Sequence, residues 1–115
     1  MNWFLVKLIF SVDSEQPVLN AQFDEQLRLI KATNESDAYF KAKQLGKTLQ
    51  TNFLSEKGEA IAWRFVDVNE VITLSDIKDG MEVYSSTYET SEKENFINSV
   101  LQKGIAIQSR NLVFC

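Results

Sequence analysis

GEAIAWRFVDVNEVITLSDIKDGMEVYSSTY, residues 58–88, is the stretch whose reading decides the fold class. Side chains alternate along an extended segment, so Ile61, Trp63 and Phe65 share one face and Ala62, Arg64, Val66 and Val68 the other. Both faces are largely apolar, which predicts a central strand over residues 60–68. Val71, Ile72 and Leu74 continue in extended form, and the stretch to Ile77 is expected to cross to a neighbouring position. Asp79-Gly80 signals a turn, because glycine accepts positive φ and aspartate tolerates the preceding position. Residues 81–88 then read as a closing strand.

Working toward the N-terminus, residues 3–12 alternate, with Phe4, Val6, Leu8, Phe10 and Val12 on one face and Trp3, Leu5, Lys7, Ile9 and Ser11 on the other. The polar stretch 13–20, with Pro17, is a connection. Residues 23–32 form a second strand, Phe23, Leu27 and Leu29 on one side and Gln26, Arg28 and Ile30 on the other, pairing antiparallel with the first. Asn34 is an N-cap, Asp37 supplies a shortened reciprocal cap, and Glu35 suits the helix dipole. Ala38, Ala42, Leu45, Leu49 and Phe53 make one apolar stripe of a long helix that Gly58 ends. Gly46 within it costs about 1 kcal/mol against alanine and implies close packing.

Beyond residue 88, Ser91 with Glu94 opens a second helix, which buries Phe96, Ile97, Val100 and Leu101 before Gly104 closes it. Residues 105–108 and 111–114 are apolar enough for a short terminal strand or an arm. The expected fold is α+β: a mainly antiparallel sheet of four to five strands, one long helix packed across it and a second, C-terminal helix. A chain of 115 residues makes one domain, with a core over residues 1–88 and a helix and tail over 89–115.

Composition narrows function by exclusion. The sequence contains no histidine, which removes the commonest general base and every Ser-His or Cys-His nucleophile. Its one cysteine, Cys115, permits neither an intrachain disulfide nor a thiolate zinc site, a usage that fits a reducing compartment. The apolar run at residues 3–10 is short and holds Lys7, so neither a signal peptide nor a membrane span is expected, and the cytoplasm is the default location. Net charge is -4, and residues 56–94 carry ten acids against four bases. Lys41, Lys43 and Lys47 on one helix are the nearest approach to a phosphate-binding cluster and read better as a solvated face, so no nucleic acid is expected.

The opening WFLVKLIF, the strand EQLRLIKA leading into a capped helix, and above all GEAIAWRFVDVNEV followed by DGMEVYS resemble the domain of unknown function 4288 family over residues 2–88. The matching positions are Trp3 and Phe4, Gly58 and Glu59, Trp63, and Asp79, Gly80, Glu82, Val83, Tyr84 and Ser85. Met81 stands where the family usually has threonine, and the connection between the first two strands is short. The resemblance implies no activity, because the family brings none.

Candidate chemistry is sparse. Glu82, Tyr84, Trp63 and Arg64 suggest a polar-ligand pocket, but Trp63 and Arg64 point to opposite faces, so at most Glu82 and Tyr84 act together, with Arg28 at a sheet-helix mouth. Asp76, Asp79 and Glu82 suggest calcium, yet fail the EF-hand pattern, and solvated turn carboxylates explain them better. Asp24 and Glu25 face apart; Glu25 is placed to pair with Lys7. The four glycines are at least twelve residues apart, too dispersed for a phosphate cradle. Ser85, Ser86 and Thr87 lack an activating base. No cofactor or metal is expected, and the balance leans away from an enzyme.

The sheet face carrying Trp3, Leu5 and Ile9 must be covered. A second copy of the chain or another protein is the expected cover, making the chain a non-catalytic interaction or homodimerising module. A ligand-binding protein or enzyme with a site near Tyr84, Glu82 and Arg28 is the alternative. An acidic neutralising partner protein is a further one.

Overall fold

The computed structural model describes residues 1–16 and 20–112. These form two compact units that meet in sequence at Val83 and Tyr84. The first unit holds β1 (Asn2–Ser14), β2 (Gln22–Ala32), α1 (Glu35–Thr48), β3 (Thr51–Leu54) and β4 (Ala60–Leu74). The second holds α2 (Lys93–Leu112). The α+β expectation is met: the strands form one sheet in the order β2-β1-β4-β3, every neighbouring pair antiparallel.

Alternation in β1 builds the core. Phe4, Val6, Leu8 and Phe10 are buried beneath Ala38 and Ala42 of α1, joined by Ala32 at the end of β2. Small alanines let the helix approach the sheet closely, and Ile30, Leu45, Leu49, Trp63, Phe65, Val68 and Val71 close the rim. Phe10 meets Trp63 at 6.0 Å and Phe65 edge-on at 5.7 Å between ring centres. Gly46 is where α1 comes nearest, since a Cβ there would overlap the Phe65 ring. Capping follows the sequence: the Asp37 N–H donates to Asn34 Oδ1 at 2.8 Å, and Asp37 Oδ2 accepts from the Thr33 N–H at 3.2 Å. The reciprocal bond thus reaches one residue further back than in a standard capping box.

Several element boundaries differ from expectation. The helix α1 stops at Thr48 instead of continuing to Gly58. Thr51 and Asn52 are weak helix formers, and Thr51–Leu54 gains a ladder with β4 that places Phe53 opposite Ile61. Gly58 is therefore a hairpin residue at φ +80°, its N–H donating to Ser55 O at 2.9 Å. Where β3 ends, the Gln50 side chain replaces the ladder by accepting the Phe65 N–H at 2.9 Å.

Residues 71–74 stay extended as expected, and β4 ends at Leu74 with no crossing strand after it among the described residues. They extend β4 alongside β1 as far as the Leu74–Trp3 pair. Register shifts between Lys7 and Leu8 and between Ile9 and Phe10 make this possible by leaving Asn69 and Val66 as extra residues. Each moves the apolar face by one residue, which is how Val68 joins the core with Phe65 despite the sequence alternation.

The Asp79-Gly80 turn forms, with Gly80 at φ +81° and the Met81 N–H donating to Lys78 O at 3.2 Å, but residues 81–88 form no strand. A local turn signal sets the bend and not the pairing, and β1 already has a neighbour on each side. The second helix begins at Lys93, runs through Gly104 and includes residues 105–108, which therefore make no terminal strand. A lone glycine costs about 1 kcal/mol, too little to stop a helix whose next residues favour it. Asn111 and Leu112 end this helix, and residues 113–115 of the expected arm lie outside the described residues.

Candidate interaction surface

Strand order leaves β2 and β3 at the sheet edges. β3 has four residues, whereas β2 has 11 and pairs with β1 without a register shift from Asn2–Ala32 to Val12–Gln22. On the sheet face away from α1, β2 presents Phe23 at 62%, Leu27 at 50% and Leu29 at 51% exposure. Beside them on β1, Trp3 and Ile9 are half-buried and Leu5 is buried. Leu5 is screened by its lateral partners Leu29 and Ile72, so of the three residues expected at an interface it is the most enclosed. Lys31 lies opposite Trp3 and holds its ammonium 5.5 Å from the indole centre.

The other side of β2 is polar at the same height. Arg28 Nη2 donates to Gln26 Oε1 at 2.8 Å, and Gln26 Nε2 donates to Asp24 Oδ2 at 2.9 Å, linking three side chains along the strand. At the strand's end Lys41 Nζ donates to the Lys31 carbonyl at 3.0 Å. Glu25 faces Ile9 and lies one diagonal step from Lys7, which sits between Leu27 and Glu70. Arg28 is thus an edge-strand residue bonded to its own strand. Glu82 is exposed in the first unit, and Tyr84 belongs to the second. The alternation expected to set Glu82 beside Tyr84 belongs to a strand that does not form.

Sequence reasoning missed a cluster where α1 meets the bulged part of β4. Asp67 pairs with Ile9 in the ladder, yet the flanking bulges let its carboxylate accept from Tyr39 Oη at 3.0 Å and from the Val68 N–H at 2.7 Å. The Val68 N–H first, then the Tyr39 hydroxyl, hold the Asp67 carboxyl below its ordinary value, with Lys43 and Lys47 adding weaker attraction. Lys43 Nζ in turn lies 5.6 Å from the Tyr39 ring centre. The visible signal was Asn69-Glu70, a polar pair interrupting an apolar strand. Chemically the cluster is a tether between helix and sheet, since one carboxylate oxygen accepts from both the α1 hydroxyl and the β4 backbone.

Trp63 and Arg64 point to opposite faces as expected. Trp63 lies in the core rim and Arg64 pairs with Asp13 at 3.6 Å in the open. A shallow hollow of about 290 Å³ adjoins that pair, lined also by Ser14, Glu15 and Asn52. Among the described residues no three His, Cys, Asp or Glu side chains converge to hold a metal ion. Among the same residues no helix is long and apolar enough to cross a membrane.

The family model described as Domain of unknown function (DUF4288) matches residues 3–85, and the chain belongs to that family. The match takes in the five elements of the first unit and ends two residues beyond it, at residue 85. No match was found among curated proteins or among solved structures.

Proposed function

We propose that this chain is a non-catalytic interaction module that self-associates through the sheet face turned away from α1. The observation that carries this reading is the row Phe23, Leu27 and Leu29, each half exposed or more, continued inward by Trp3 and Ile9. Burying a large apolar side chain stabilises by roughly 1.5–3 kcal/mol, and three such residues in line on a regular strand make a patch that association would cover. Absence of histidine and the use of Asp67 as a tether between helix and sheet both favour a surface over a reaction centre. Sedimentation velocity at micromolar concentration is expected to show a dimer, and Leu29→Glu to return it to monomer with its circular dichroism unchanged. A wild-type chain that stays monomeric to hundreds of micromolar would sink the reading.

A further inference from the structure

Resting on the self-association just proposed but placing its contact along the β2 border of that face, we infer that the two copies join edge to edge, β2 against β2 in antiparallel register centred on Gln26, to make one eight-stranded sheet. A long regular edge is ordinarily blunted by proline, a bulge, shortness or charged side chains, because its unpaired N–H and C=O groups template another strand; β2 has only the last of these, as Asp24, Glu25, Arg28 and Lys31. β3 is blunted by its four residues. β2 carries no proline within Gln22–Ala32 and no register shift, so its outer edge is straight and open.

The residue pattern selects the partner and the register. Directly opposed residues of an antiparallel pair share a face, and a two-fold axis through residue c sets i against 2c − i. Centred on Gln26, Phe23 faces the second copy's Leu29, Asp24 faces its Arg28, and Gln26 faces Gln26, each contact occurring twice except the last. Two Phe23–Leu29 pairs then fall on the face away from α1, accompanied there by two Glu25–Leu27 oppositions, and two ion pairs fall on the other. Centring on Arg28 instead gives Leu27–Leu29 and Glu25–Lys31 pairs but sets arginine against arginine at the centre, a destabilising opposition, and needs Lys31 to leave Trp3. Centring on Leu27 sets Phe23 against Lys31 and forms no ion pair. Both alternatives also run the partner strand over Lys31, whose carbonyl is taken by Lys41 and whose ammonium is held over Trp3. The Gln26 register stops at Ile30 and leaves that end undisturbed. Arg28 and Asp24 are already aligned along their strand through Gln26, so pairing exchanges an intrastrand link for a cross-strand one.

Analytical ultracentrifugation of the full chain and two charge variants tests this. Arg28→Asp places aspartate against aspartate at two positions and is expected to weaken dimerisation roughly tenfold or more. The double variant D24R/R28D restores opposite charges only in the Gln26 register and is expected to recover the dimer. Circular dichroism and thermal unfolding of each variant at a dilution where all are monomeric confirm equal folding. A dimer indifferent to Arg28→Asp overturns edge pairing while leaving self-association through the face intact. Loss of the dimer in both variants overturns the register, and a monomeric wild type overturns both readings together.

Discussion

Two residues carry testable physical claims out of proportion to their size. Gly46 faces opposing effects: alanine would gain about 1 kcal/mol of helix propensity, while overpacking against Phe65 costs roughly 1–3 kcal/mol. Crowding should win, because the obstacle is a core-rim ring rather than the end of a flexible side chain. Urea unfolding of Gly46→Ala is expected to show a net loss, and Phe65→Leu in the same background to recover part of it; a stabilised Gly46→Ala would refute the close approach. Asp67 makes a claim about pH. Its folded carboxyl lies below the ordinary value of 3.8, so its contribution is complete above that value and is lost as pH falls through the lower folded one. Asparagine can still accept from Tyr39 and Val68, so Asp67→Asn isolates the charge. The melting temperature of the wild type should exceed that of Asp67→Asn at neutral pH, with the gap closing as the pH falls below 3.8. A gap that widens in acid would contradict the sign.

At the scale of elements, what was legible tracks the range of the forces involved. Strand β1, strand β2 and the start of α1 were readable because alternation and the Asn34 cap are written in adjacent residues. Gly46 was readable as a packing glycine for the same reason. The end of α1 was not, since Leu49 and Phe53 prolong a helical stripe and only the hydrogen bonds offered by β4 convert Thr51–Leu54 into a strand. The bulges at Val66 and Asn69 escaped too, because a register shift is a property of two strands and β4 shows its alternation only against β1. Residues 81–88 failed in the reverse direction: the turn was local and real, but the residues after it take no place in the sheet. Of the candidate surface, Trp3 and Ile9 were legible from their face, whereas the more exposed Phe23, Leu27 and Leu29 depend on β2 being an edge. The reassigned Gly58 yields its own test. At φ +80° with open space around its Cβ position, alanine there meets backbone strain alone. Gly58→Ala should therefore cost about 1 kcal/mol in urea unfolding without altering self-association, whereas an unchanged midpoint would dispute the hairpin geometry.

On the scale of the whole molecule, the distribution of buried residues separates stability from the C-terminal sequence. Every member of the core cluster lies between Phe4 and Ala42, and the rim residues packed on it extend only to Val71. Residues from Tyr84 onward supply none of them and carry their own internal packing, in which Tyr88 stacks on Phe96 at 5.0 Å. The family match ends at residue 85, two residues beyond the first unit. A chain ended after Ser85 is therefore expected to keep the sheet, the α1 signal and one cooperative unfolding transition, losing only the helical circular dichroism that α2 contributes. Because β2 and the face beside it belong entirely to the retained part, the shortened protein should also self-associate with an affinity within a few-fold of the full chain. Alternatives lead elsewhere. If α2 were the element that brings copies together, its apolar stripe from Phe96 to Ile105 would be the interface, and the shortened chain would sediment as a folded monomer. If α2 were required for the core, the shortened chain would not unfold cooperatively at all. Sedimentation and thermal unfolding on the same sample therefore locate the association surface in β2 or in α2, and the first-unit assignment stands only if the folded, shortened chain remains a dimer.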